Sequence, residues 1–295
     1  MAEKITADMV KTLRERTDAG MMECKKALQE ANGDMEKAVE IIAKAGHRKA
    51  DKKADRTAAE GVVVCKLSSD GKEGVMVEIN CETDFVARDD NFKQFSDKVG
   101  ELALKNKVAS LEDLKALSYA DGLNVEEARK ALIAKIGENI NIRRVQAAKT
   151  DAGRIGAYSH GTKIGVLVVM EGGSVELAKD LAMHVAASRP QCVHVNEIPA
   201  EIVDKETRIA TERAAASGKP AEIVAKIVSG QVQKYLNEIC LMGQAFVKDL
   251  DQTIEKVLKA NQATVKSFHR FEVGEGIEVQ KLNFQEEVMA VARGK

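Results

Sequence analysis

Asp84 and Phe85 have the clearest chemical potential in this chain. They lie in Glu82-Thr83-Asp84-Phe85-Val86, directly after the strand-like segment 75–81. A carboxylate beside a large aromatic can close the protein's own core, the default fate of a phenylalanine. At an edge the same pair could fill a partner's pocket, where truncating a desolvated aromatic anchor costs ~2 kcal/mol or more. Asp84 and His160 could form a general-base pair only if folding brought them within hydrogen-bond reach of each other or of a substrate. His184, Cys192 and His194 are close enough in sequence to suggest a metal. However, His184 follows Leu177 and Leu181 on an apolar helix face and no fourth ligand is apparent, so a structural histidine is expected and no metal is assigned. No G-x-x-x-x-G-K-S/T loop occurs. Gly153-Arg154-Ile155-Gly156 and Gly274-Glu275-Gly276 lack dinucleotide-binding spacing, and turns account for them.

The elements that must position these residues follow from periodicity. Residues 5–46 predict three short helices: Ile5, Met9, Val10 and Leu13 line the first, and Met21, Cys24, Ala27, Leu28 and Ala31 the second. Asn32-Gly33 breaks the chain, Asp34 can cap a third helix, and Ala38, Val39, Ile41, Ile42 and Ala45 face inward. The charged run His47–Glu60 reads as a linker or an exposed helix. Two strands around 61–67 and 75–81 make a hairpin. Asn91 with Gln94 resembles a capping box for the next helix, a second helix covers 125–136, and 140–147 returns as a third strand. The pattern repeats in strand 155–158, the turn 159–162, strand 163–169, a helix and a returning strand 265–273. The expected fold is therefore α+β, with two related halves whose antiparallel sheets each have one solvated face and whose junction suits a bound partner. Helical runs 201–216 and 221–240, split by Ser217-Gly218-Lys219-Pro220, predict a protruding antiparallel hairpin that a partner or a second copy covers in part.

With 45 basic and 46 acidic residues the net charge is −1, which excludes a bulk electrostatic grip on nucleic acid, although Lys and Arg cluster between Lys44 and Arg56. No apolar run approaches the roughly 20 residues of a membrane span, so a cytoplasmic protein is expected. Five scattered cysteines without C-x-x-C spacing predict reduced, mostly buried thiols. Ile136-Gly137 reads as ordinary helix termination, and His160 as exposed on its turn. These features favour a binding protein. A peptide-holding, chaperone-like module and an enzyme stay open as alternatives.

The ordered motifs 13–17, 19–28, 80–86, 135–140, 158–161 and 183–187 closely resemble the bacterial translation elongation factor Ts family, guanine nucleotide exchange factors for elongation factor Tu. The resemblance spans nearly the whole chain. It implies a ubiquitin-associated-like helical module with linker over 1–55, core subdomains over 56–150 and over 151–199 with 247–282, an inserted coiled-coil hairpin over 200–246, and a helical tail over 283–295. It implies that Arg14, Met21 and Met22 contact the partner's nucleotide domain. Asp84 and Phe85, flanked by Thr83 and Val86, would intrude near its magnesium and switch region, with Ile136, Gly137 and His160 as supporting contacts. The chain itself would bind no cofactor, acting instead on a GDP- and magnesium-bound GTPase; a homodimer and a two-plus-two complex both stay open. One departure stands out: Ala245 occupies a position where proline commonly follows Gly-Gln in the family, which puts the rigidity of the hairpin's exit in question.

Overall fold

A computed structural model describes residues 5–17, 19–120, 122–215 and 220–278. Most of the predicted turn 217–220 and the predicted tail 283–295 lie outside the described residues. Helices α1 (Ala7–Thr17), α2 (Met21–Glu30) and α3 (Met35–Asp51) enclose Val10, Leu13, Cys24, Ala27, Leu28, Ala31 and Ala38, as their spacing predicts. Met21 departs from that pattern. It opens α2 at the end of the apolar face and is 48% exposed. Asp34 caps α3 by accepting from the Lys37 amide at 3.1 Å. The run after His47 begins as helix and not as linker, because α3 continues through it and buries Ala50 in the next subdomain's core.

The first α+β subdomain comprises β1 (Glu60–Leu67), β2 (Glu73–Cys81), α4 (Asp84–Arg88), α5 (Asp90–Lys105), α6 (Leu111–Ala116), the ribbon β3 (Ser118–Ala120) and β4 (Leu123–Asn124), α7 (Val125–Ile136) and β5 (Ile140–Lys149). Its antiparallel sheet has the order β1-β2-β5. The Asn91–Gln94 capping box does not form. Asp89 caps α5 instead, one carboxylate oxygen accepting from the Asn91 and Phe92 amides at 2.8 and 3.2 Å. The capping box lies at α7, where Asn124 and Glu127 each accept from the other's backbone amide at 2.8 Å.

The second subdomain repeats the plan with β6 (Arg154–His160), β7 (Ile164–Glu171), α8 (Val175–Ser188), the inserted helices α9 (Ala200–Ala215) and α10 (Ala221–Ile239), β8 (Ala245–Phe246), β9 (Asp249–Thr253), α11 (Ile254–Ala260) and β10 (Thr264–Glu272). Its sheet order is β6-β7-β10, again antiparallel. His160 ends β6 rather than lying in the following turn.

The expected solvated sheet faces are not solvated. Val75, Val77 and Ile79 of β2 face α5 and α7, while Met76 faces the other sheet and packs with Val63, Ile155, Leu167, Val169 and Phe271. The halves therefore stack as helices, sheet, sheet, helices, and their own side chains fill the sheet junction instead of a partner. Glycines permit this closeness. A Cβ on Gly165 would lie 2.5 Å from Val63 Cγ1, and one on Gly156 only 2.1 Å from the Ala178 carbonyl oxygen. Gly156 is thus a strand residue over which α8 packs, not a turn residue.

α9 and α10 pack on each other with little enclosed between them: Ala210, Ala214 and Leu236 are their buried residues. The hairpin's exit is held despite Ala245. Gln244 donates to the carbonyls of Glu238 (2.8 Å) and Ser188 (3.4 Å), and its Oε1 lies 2.9 Å from His184 Nε2.

Candidate partner-docking site

Thr83 to Val86 bends the chain from β2 into α4, and the local chemistry explains the bend. The Thr83 hydroxyl accepts from the Val86 amide at 3.3 Å, an N-cap that starts a helix only five residues long. Val86 and Ala87 point inward and join the first core, so the α4 turn is fastened from beneath. Phe85 consequently points out, 79% exposed, and its core-closing reading is overturned. Asp84 is half-buried and pairs with Arg88 at 2.9 Å, whereas His160 lies 3.3 Å from the Tyr158 hydroxyl and stacks on that ring. The geometry gives Asp84 and His160 different partners.

A second loop braces this bend. Gly137 adopts φ +90° at the end of α7, where its amide donates to the Ile133 carbonyl at 2.8 Å. That turn delivers Glu138, whose carboxylate accepts from both the Thr83 amide (3.0 Å) and the Thr83 hydroxyl (2.7 Å). The reciprocal bond also forms, with Glu82 accepting from the Asn139 amide. Lys53 donates to the Gly137 carbonyl. Buried Asn139 donates to the carbonyls of Ala54 (3.2 Å) and Arg56 (2.8 Å), which ties the chain leaving α3 to the same corner. The β6–β7 tip carrying His160 reaches it as well, because Lys163 pairs with Glu60, the residue opposite Cys81 in register.

The structure thus joins Thr83–Val86 with the half-buried Ile136–Gly137 through Glu138 and Glu82, two residues to which sequence reasoning gave no role. An acidic residue directly after β2 and another directly after the Gly137 turn were the available signal. Val86 lies inside the core, and both Thr83 polar groups are engaged. Arg14, Met21 and Met22 are exposed on the N-terminal helices, Met22 at 65%. Burial and the neighbouring Glu138 push the Cys81 thiol up to about 12, so beside the site this cysteine is an inert core residue. His184 is fully buried, and burial holds its imidazole below the usual range; its Nδ1 accepts from the Val247 amide at 3.3 Å, the geometry of a neutral structural ring. Among the described residues no group of three or more His, Cys, Asp or Glu is arranged to hold a metal, and no helix is long and apolar enough to cross a membrane.

Replacing Glu138 with alanine removes the acceptor of both the Thr83 amide and the Thr83 hydroxyl, and leaving such groups unsatisfied costs roughly 1–3 kcal/mol. The expected outcome is faster amide hydrogen exchange across residues 83–88 with the β2 amides still protected. Unchanged exchange in α4 would remove the brace from this account.

In class, the chain is a two-subdomain α+β protein that carries an exposed aromatic side chain on a capped and braced helix start. The family model described as Elongation factor TS matches residues 82–275. Elongation factor Ts of Thioalkalivibrio sulfidiphilus is 57% identical over 98% of this chain and 99% of its own length. The Methylococcus capsulatus protein of that name is 55% identical over the same shares, and that of Legionella pneumophila strain Paris 52%. The chain belongs to the elongation factor Ts family. It is accordingly a non-covalent factor, not an enzyme.

Proposed function

We propose that this protein releases GDP from elongation factor Tu by inserting Phe85 beside the partner's magnesium and switch region. The observation that carries this reading is a large aromatic, 79% exposed, on a turn capped by Thr83 and fastened through Val86 and Glu138. Family membership supplies the general role of nucleotide exchange and the partner. Preorganisation supplies the physical advantage, since a side chain already held in its binding geometry loses little further entropy on docking.

In this reading Phe85 fills an apolar cleft and displaces the switch-side helix, while Asp84 holds groups that move with it. Magnesium offsets charge between phosphates and protein carboxylates, so its displacement weakens the hold on GDP. Arg14, Met21 and Met22 grip the nucleotide domain; Ile136, Gly137 and His160 support contact near the phosphate loop. The hairpin acts as the coiled-coil arm that reaches another part of the partner, and the N-terminal helices act as the ubiquitin-associated-like module. Exchange is then linkage: factor and GDP weaken each other's binding by the same coupling free energy.

The test is release of fluorescently labelled GDP from purified elongation factor Tu. Release accelerated by catalytic amounts of this protein supports the reading, and a rate unchanged at saturating protein overturns it.

A further inference from the structure

We propose that Cys192 and Cys240 form an oxidisable pair that closes, as an intramolecular disulfide, the base of the inserted helical hairpin. The two cysteines are far apart in sequence, yet their sulfurs lie 3.0 Å apart. Cys192 precedes α9 and Cys240 follows α10, so a bond between them joins the two ends of the insertion.

The backbone holds the pair in register. Cys192 and Cys240 form a parallel bridge, flanked by hydrogen bonds from the Gln191 amide to the Ile239 carbonyl (2.8 Å) and from the Leu241 amide to the Cys192 carbonyl (2.9 Å). Residues paired across neighbouring strands are about 4.8 Å apart. A disulfide spans Cα separations of roughly 4.4–6.8 Å, so the bond forms without moving either segment. Access is asymmetric: Cys240 is fully buried, whereas Cys192 is partly exposed. Cys192 is therefore the sulfur an oxidant meets and Cys240 the one that resolves it.

With a peroxide as oxidant the balance is complete. The Cys192 thiolate attacks one peroxide oxygen and the O–O bond breaks, giving a sulfenic acid and, after protonation of the leaving oxygen, water. Cys240 sulfur then attacks Cys192 sulfur, the S–O bond breaks, and a second water leaves with the Cys240 proton. Two thiols are oxidised and one peroxide is reduced. Burial, the Cys240 hydrogen bond and nearby Glu197 push the Cys192 thiol up to about 12. Thiolate is consequently scarce near neutrality, and the reaction belongs to sustained oxidation rather than fast signalling. Among the described residues Cys24, Cys65 and Cys81 have no recorded cysteine partner.

The test treats the full-length protein with excess hydrogen peroxide, alkylates the remaining thiols and maps peptides without reduction. The expected result is the loss of two hydrogen atoms, one linked peptide pair containing Cys192 and Cys240, and full reversal by dithiothreitol. A single proteolytic cut within the hairpin should leave its two pieces joined until reduced. Cys192→Ser and Cys240→Ser should each abolish the link, with circular dichroism reporting that each variant is folded. Conversion of Cys192 to sulfinic acid without a link, a link to another cysteine or between chains, or recovery of both thiols in alkylated form overturns the proposal.

Discussion

Phe85→Ala is expected to lower stimulated GDP release by roughly 30-fold while leaving the protein as stable as before. The size follows from the loss of a well-desolvated aromatic anchor, ~2 kcal/mol, converted to a rate ratio. The stability half follows from the site: at 79% exposure the ring contributes little to the core, and surface substitutions of this kind stay within ~0.5 kcal/mol. Val86 provides the opposite case. It is buried on the inner side of α4, so Val86→Ala should lower the unfolding midpoint as well as exchange. Stopped-flow release at saturating factor separates a wedge from a mere affinity contact. A Phe85→Ala protein with an unchanged maximal rate and only a weaker half-saturation would assign Phe85 to binding alone. Glu138→Ala sharpens the comparison, because it leaves the aromatic in place and loosens the turn that presents it.

The helices were legible because their spacing and caps are local: Asp34 at α3, the apolar faces of α1 and α2, and the bounds of α7 can be read from adjacent residues. Local signals also misled. Asn91 and Gln94 have capping-box spacing, but Asp89 stands two residues earlier and takes the Asn91 amide that Gln94 would have accepted from, together with that of Phe92. The solvated sheet face failed for a different reason. Val166 to Met170 is apolar without interruption, the mark of a strand buried on both sides. A hairpin pattern alone does not say what covers its second face. Gly156 read as a turn residue and Gly165 as a strand position with no role of its own, although each is small so that another element can approach; that requirement exists only in three dimensions. The site divides in the same way. Sequence singled out Asp84 and Phe85, but the Glu82–Asn139 and Glu138–Thr83 bonds join segments more than fifty positions apart, and only folding could pair them. Cys192 and Cys240 became partners by the same route.

Glu78 was also unmarked in the sequence, and its replacement carries the largest expected effect on stability. It lies on the junction face of β2 with no solvent exposure, beside Arg143 and Arg144 of β5 and below the Gly274 amide, which donates to it at 2.8 Å. Arg144 also stacks on Phe271 and donates to the Glu272 carbonyl at 3.1 Å, so the cluster joins the two subdomains. Burial alone would raise the Glu78 pKa. The Gly274 amide, Asn80 and Arg144 outweigh it and hold the carboxyl below the usual glutamate range. Because the folded state prefers the charged form more than the unfolded chain does, the stabilisation is complete above the ordinary glutamate pKa. It is lost as pH falls through the lower folded value. Glu78→Ala leaves two arginines facing a buried gap, and breaking such a pair costs ~3–5 kcal/mol. At neutral pH the melting midpoint should therefore fall by on the order of 10 °C. The variant should also lose part of the wild-type decline in stability below pH 4.5, the ordinary glutamate value. Urea titrations from pH 7 to pH 3 measure both effects. Parallel acid limbs in the two proteins would show that Glu78 titrates alike in the folded and unfolded chains, and a neutral-pH loss under 1 kcal/mol would deny the cluster its role in holding the sheets together.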